Sequence, residues 1–185
     1  IICINKIDLG KKEEIEQIHK IYEKIGYKVI ETNAKENIGI NELEKILENE
    51  ITAFSGNSGV GKSTLINSIF KEEKTTEGLL SEKLQRGKNT TTSITLYPIK
   101  EGYIADTPGF STFSIEEIES ENLSQYFKEF KNYLQNCEYL DCEHIKEENC
   151  GIKKALEEGN ISKERYERYI KIMQELKEKE AHKKW

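Results

Sequence analysis

The sequence predicts an α/β fold, a three-layer sandwich of helices on both faces of a largely parallel sheet, followed by a small helical domain organised by a metal. Three observations predict it. Strand and helix patterns alternate through roughly the first hundred residues. A glycine-rich loop, Gly56-Asn57-Ser58-Gly59-Val60-Gly61-Lys62-Ser63, joins a strand pattern to a helix pattern. Three cysteines and a histidine then fall within residues 137–150. The boundary this implies lies between residues 1–112 and residues 113–185.

Ile1-Ile2-Cys3-Ile4 reads as a short buried strand that ends at Asn5-Lys6-Ile7-Asp8. Ile15, Ile18, Tyr22 and Ile25 recur at helical spacing, with Gly26 as the stop. Residues 27–32 form the second strand, 41–47 the second helix and 51–55 the third strand; a helix over 62–70 follows the glycine loop. Residues 71–89 are polar, contain Gly78 and Gly87, and read as a mobile loop. Residues 92–99 and 103–106 form paired strands around Lys100-Glu101-Gly102. From Ser114 the chain becomes helical and charged, opened by a Ser114/Glu117 capping box. Gly159-Asn160 breaks the pattern before a long last helix from about Ser162. Its lysines and glutamates read as a solvated face.

At 185 residues, with 36% hydrophobic and 34% charged residues, the chain suits a soluble domain plus a small appendage. No apolar run approaches the roughly 20 residues of a membrane span. A net charge of −6 argues against a whole-surface grip on nucleic acid but permits a local basic patch. The chain opens on Ile inside a strand, without a charged-then-apolar leader, so we expect an N-terminal truncation and no secretory signal. His19 and His182 have no metal-like neighbours in sequence and read as surface residues, and Cys3 as a buried thiol.

In the glycine loop, Gly56, Gly59 and Gly61 free the backbone to point N–H groups at phosphates, aided by the helix N-terminus that follows. Asn57, Ser58, Gly59, Val60, Gly61 and Thr64 complete the cradle; Lys62 reaches the β and γ phosphates, and Ser63 ligates Mg²⁺. In Asn5-Lys6-Ile7-Asp8, the Asp8 carboxylate can accept from guanine N1–H and the exocyclic amine, which adenine does not offer. Asn5 can tie this loop to the phosphate loop while the Lys6 stem lies along the ring. Asn33-Ala34-Lys35 follows a strand where a backbone N–H could meet guanine O6, although polar loops after strands are common. Asp106-Thr107-Pro108-Gly109 ends a strand: Asp106 would hold Mg²⁺ through water and the Gly109 N–H would sense the γ phosphate, though such a turn is also an ordinary one. Within Gly87-Lys88-Asn89-Thr90-Thr91-Thr92, Thr91 is the candidate Mg²⁺ ligand of a switch, although threonine runs also favour strands. These are the signatures of a P-loop GTPase binding GTP and GDP with Mg²⁺. Their order is circularly permuted, because the base reader precedes the phosphate loop.

Cys137, Cys142, His144 and Cys150 match a closed tetrahedral Zn²⁺ site, structural because no position stays open for water. The thiols beside a nucleotide site favour a reducing cytoplasm.

Together these motifs resemble the RsgA (YjeQ) family of ribosome small-subunit-dependent GTPases over nearly the whole chain. The resemblance extends to Asp106-Thr107-Pro108-Gly109-Phe110, Phe127-Lys128-Glu129-Phe130 and Arg165-Tyr166-x-x-Tyr169. It implies a GTPase of late small-subunit maturation, stimulated by the ribosome, that contacts rRNA as a monomer in the cytoplasm, away from membranes. It also implies an OB domain and a first strand and helix before Asn5, which this chain does not contain. Asn89 stands where the family carries a His proposed to assist hydrolysis, and Phe110 where many GTPases place a water-orienting Gln. Slow intrinsic hydrolysis follows, and a non-catalytic GTP-dependent ribosome-binding module is the alternative reading.

Overall fold

The computed structural model describes residues 1–70, 95–106 and 118–183. The chain divides into two units, Ile1–Phe113 and Ser114–Trp185. The expected loop over residues 71–89, the Ser114/Glu117 capping box and the switch residues lie outside the described residues.

In the first unit, β1 (Ile2–Asn5) and β2 (Val29–Thr32) pair in parallel, Asn5 opposite Thr32. The crossover between them is α1 (Lys12–Lys24). Gly26 ends it as expected, at φ 91°, where a side chain would be strained. The Gly26 N–H reaches Glu23 O and the Tyr27 N–H reaches Tyr22 O, the two bonds of a Schellman cap. The Tyr22 and Tyr27 rings meet edge-on across the cap, 6.1 Å between centroids.

A second hydrogen-bonded group has the order β3-β5-β4. β3 (Ile51–Ala53) runs parallel to β5 (Gly102–Asp106), and β4 (Thr95–Ile99) runs antiparallel to it. α2 (Ile40–Leu47) and α3 (Lys62–Phe70) join these strands to β2 through one apolar core. Ile30, Ile40, Leu43, Leu47, Leu65, Ile69 and Ile104 form it, all nearly inaccessible to solvent. At about 25 cal/mol per Å² of apolar area, such burial is the main force seating both helices on the strands.

Two expectations for this unit need correction. β1 is half-buried along its length and Ile1 is 66% exposed, so the strand is not a buried one. Among the described residues β1 pairs with β2 alone, which leaves its other edge uncovered. His19 is no isolated surface residue: its Nδ1 lies 2.7 Å from Glu31 Oε1 on β2 and its Nε2 3.4 Å from Glu23.

The second unit departs further from expectation. The apolar spacing Leu123, Phe127, Phe130, Leu134 fits a helix, yet residues 118–150 contain no α-helix. Short 3₁₀ pieces stand there instead, Ser120–Tyr126, Lys128–Phe130 and Leu134–Asn136. Phe127 breaks the run with extended backbone, φ −94° and ψ 100°, and its ring lies under the Arg165 guanidinium carbon at 4.6 Å from the centroid. Tertiary packing here overrides a periodicity that α and 3₁₀ structure share. α4 (Gly151–Glu157) and α5 (Lys163–Lys183) follow. Ser162 Oγ accepts from Arg165 N at 3.2 Å, so it caps α5 where the last helix was expected to begin. Leu123, Phe130, Ile152, Ala155, Ile161, Tyr169, Met173 and Leu176 fill this unit's own core.

The hydrogen bond to Glu31, then the Glu23 carboxylate, raises the His19 pKa above its ordinary value of about 6.5. A raised folded-state pKa gives stability that is complete below the unfolded value and lost as pH rises through the folded one. Chemical denaturation across neutral pH should therefore show a modest fall in stability with rising pH, and His19→Gln should flatten that fall.

Candidate nucleotide and metal sites

The base loop and the phosphate loop are 50 residues apart in sequence and interlocked in space. β1 delivers Asn5, whose amide Nδ2 donates to Val60 O at 3.0 Å. Lys6, at φ 62°, sends its Nζ to Gly59 O at 2.7 Å. Gly61 sits beneath both, at φ 98°, and a Cβ there would collide with Asn5 Nδ2. The third loop glycine is thus demanded by the neighbouring loop as well as by its own backbone.

β2 supports this junction from behind. Thr32, fully buried, donates from Oγ1 to Asn5 Oδ1 at 3.1 Å, and the Cys3 thiol lies 3.3 Å from Thr32 Oγ1. Burial raises the Cys3 pKa, with the Thr32 hydrogen bond acting against it, so the thiol stays protonated. Thr32 O also accepts from Ile7 N at 3.3 Å. Asn33 is buried and turns the chain, its Oδ1 accepting from the N–H groups of Lys35 and Glu36 at 3.1 and 3.3 Å. Ser68 on α3 donates to Ala34 O at 2.8 Å, tying this turn to the helix that follows the phosphate loop.

The result is one cleft of about 540 Å³, lined by Asn5, Lys6, Asp8, Leu9, Ala34, Lys35, Ser58, Gly59, Gly61, Lys62, Ser63 and Thr64. Asp8 and Lys62 therefore face the same space. Lys62 Nζ donates to Gly56 O at 2.7 Å and Asn57 O at 3.1 Å, which holds the ammonium inside the curve of the loop. Asn33, Asn57 and Val60, also expected at the nucleotide, are not among the residues that line the cleft. Sequence reasoning missed Leu9, Thr32 and Ser68. Leu9 carried a signal, an apolar residue directly after the base reader that remains 76% exposed. The roles of Thr32 and Ser68 depend on contacts across the fold and left no local mark.

Asp106 closes β5, register partner of Thr95 on β4, and its side chain is outside the described part. Thr91 and Gly109 lie outside the described residues altogether. The backbone still places the ends of both segments: β3, which leads into the phosphate loop, runs parallel to β5 with Ala53 opposite Ala105.

In the second unit, the Sγ atoms of Cys137, Cys142 and Cys150 and one ring nitrogen of His144 all lie within 4.8 Å of one another. Cys137 Sγ and Cys150 Sγ each stand 3.5 Å from His144 Nδ1. Zn–S and Zn–N bonds at tetrahedral angles would separate S and N by about 3.6 Å, so the donor set fits such an ion. Burial pushes the Cys142 thiol up to about 12, and the neighbouring Cys150 and Cys137 add to the shift. Burial lowers His144, which favours the neutral imidazole a metal needs. Burial raises Cys150 as well, and the Cys142 and Cys150 thiols would both lose their protons to a dication.

The comparisons with known proteins agree with this geometry. The family model described as RsgA GTPase matches residues 1–116. A protein of Alkaliphilus metalliredigens, named small ribosomal subunit biogenesis GTPase RsgA, is 42% identical over 96% of this chain and 61% of its own length. A protein of the same name from Clostridium botulinum is 46% identical over 99% of this chain and 63% of its own. Among solved structures, YjeQ from Thermotoga maritima superposes with a TM-score of 0.74 at 37% identity, covering 94% of this chain and 58% of that one. YloQ, described as a circularly permuted GTPase, gives 0.75 at 29% identity, covering 97% and 57%. The chain thus spans about three-fifths of the length of the curated relatives it matches.

Gly61→Ala should weaken GDP binding by ten- to a hundredfold, because left-handed strain of about 1–3 kcal/mol is added to a displaced Asn5. Titration with a fluorescent guanine nucleotide would measure it.

Proposed function

We propose a function from one premise: the chain belongs to the RsgA GTPase family. It is a switch that binds GTP and GDP in the cleft of the first unit, hydrolyses GTP, and acts in late maturation of the small ribosomal subunit, in the cytoplasm. The observation that carries this reading is that Asp8 and Lys62 line one cleft, joined by bonds between their loops. Among the described residues, no helix is long and apolar enough to cross a membrane.

In this reading residues 1–112 are the GTPase domain and 113–185 the zinc-binding domain. Asp8 reads the guanine edge, with the Lys6 stem and Leu9 against the ring, and the Ala34–Lys35 backbone turns toward O6. The phosphate-loop N–H groups and Lys62 hold the triphosphate; Lys62 exchanges its carbonyl partners for phosphate oxygens and neutralises charge that builds during transfer. Ser63, Thr91 and Asp106 would hold Mg²⁺, which would withdraw charge from the phosphates. Gly109 contributes an N–H to the γ phosphate. Cys137, Cys142, His144 and Cys150 would hold Zn²⁺ and close the second unit's loop. Contact with rRNA belongs to the same proposal, drawn from the family.

Asn89 is no base and the apolar Phe110 ring cannot orient water, so positioning dominates and hydrolysis alone is slow. Single-turnover hydrolysis of GTP, with and without small subunits, tests the function: strong stimulation is expected, and GTP binding with no stimulated turnover would leave a non-catalytic binding module.

Two outcomes follow from the roles assigned. Asp8→Asn should lower guanosine nucleotide affinity by roughly ten- to a hundredfold, the loss of a charged hydrogen-bond pair, and raise affinity for xanthosine nucleotides. Competition binding with both nucleotides would show it. Removing zinc with a chelator should melt the helical signal of the second unit before that of the first, followed by circular dichroism with and without GDP.

A further inference from the structure

Two sequence patterns are consumed by neither site, Phe127-Lys128-Glu129-Phe130 and Arg165-Tyr166-x-x-Tyr169. In the structure they meet. Arg165 Nε donates to Glu129 Oε1 at 2.6 Å, in a pair whose side chains are 15% and 6% exposed. The Tyr169 ring is fully buried, with centroids 4.9 Å from Phe130 and 5.2 Å from Phe127. This packing fixes the rotation of α5, and the rotation decides where two hydroxyls point.

Tyr166 and Tyr169 are three residues apart and share a helix face. Tyr166 Oη donates to His144 O at 2.7 Å, and Tyr169 Oη donates to Glu143 O at 3.0 Å. Two successive carbonyls of the cysteine loop are therefore gripped from α5. On the same stretch the Glu147 carboxylate accepts from the N–H groups of Glu143, Ile145 and Lys146, at 3.0, 3.0 and 3.1 Å. Between these clamps His144 adopts φ 62°, a left-handed conformation uncommon for any residue but glycine. That conformation is the one in which Nδ1 stands 3.5 Å from two of the thiols.

We propose that Tyr166 and Tyr169 are positioning residues for the metal: their hydroxyls hold His144 in its turned conformation, so that docking α5 and loading the ion are one coupled event. The inference rests on the zinc reading above. If the tyrosines merely filled the core, phenylalanine would serve as well, since the rings alone make the apolar contacts. The bonded carbonyls separate the two roles, because each loses its donor when the hydroxyl goes. Coupling is reciprocal, so the ion stabilises docked α5 by the factor by which docking favours the ion.

The test uses this chain with Zn²⁺ and Co²⁺. Zn²⁺ affinity is measured against a competing chelator for wild type, Tyr166→Phe, Tyr169→Phe and the double variant. Ile161→Val serves as a control that loosens the same core and leaves both tyrosine hydroxyls in place. Each tyrosine variant should bind Zn²⁺ about tenfold more weakly, and the double variant up to about a hundredfold, the range for groups that orient a metal ligand. The visible bands of the Co²⁺ form should shift in the tyrosine variants and stay unchanged in Ile161→Val, whose Zn²⁺ affinity should fall by less than that of either tyrosine variant. Wild-type affinity and spectra in the tyrosine variants would overturn the inference, as would an equal loss in Ile161→Val. A wild-type chain without thiolate-to-cobalt charge transfer would overturn the zinc reading itself, and this inference with it.

Discussion

The first unit depends on one junction, the pair of bonds from Asn5 and Lys6 to the carbonyls of Val60 and Gly59. Each bond spans more than 50 residues of chain, so the cleft exists only where β1 and the phosphate loop are held side by side. A hydrogen bond contributes about 1 kcal/mol net, which alone would not hold two loops together. The shared core beneath them does the holding, and the bonds set the register. This explains why the order of the motifs along the chain matters so little. Closing a loop costs about 0.6 kcal/mol more for each doubling of its length. Exchanging which motif comes first changes that cost by less than the worth of one hydrogen bond.

The second unit solves a different problem with the same kind of non-local tie. It has few apolar residues between the cysteines, and the loop over 137–150 offers little regular structure to bury. Its organisation comes from the donor cluster, the Glu147 carboxylate and the Arg165–Glu129 pair. Breaking a buried pair of that kind by removing one partner costs about 3–5 kcal/mol, because the survivor keeps its desolvation penalty. Among the described residues Glu129 Oε2 has no hydrogen-bond partner, which makes that penalty sharper. The pair is therefore better understood as fixing how α5 sits than as a source of net stability.

Local signals were legible in the sequence, and cross-chain ones were not. The helix over Lys62–Phe70 was read to its end residues because a strand, a glycine loop and an apolar repeat all coincide there. The four metal-binding candidates were legible because their spacing is short. The 3₁₀ pieces over 120–136 were not, since Leu123, Phe127, Phe130 and Leu134 fit either helix type and the choice rests on Arg165, more than thirty residues later. His19 reads as a surface residue because its partner Glu31 lies twelve residues on, on β2, where spacing along α1 gives no sign of it. Thr32 is the plainest case. A threonine ending a strand has an ordinary reason to be there, and its grip on Asn5 becomes visible only once β1 and β2 are in register.

β3 connects the hairpin of β4 and β5 to the phosphate loop. Thr95 opens β4 and Asp106 closes β5, and the two are direct partners in an antiparallel pair. The candidate switch residues thus lead into β4 and out of β5 at one end of a single hairpin. β3 runs parallel to β5 and ends at that same edge, where it passes into the phosphate loop. A hairpin pinned by the buried Ile104 and Ile99 transmits position well, since a packed core does not deform smoothly. A ligand bound at the phosphate loop would therefore act against a rigid frame, so that little of its binding free energy would be lost in deforming β3, β4 and β5.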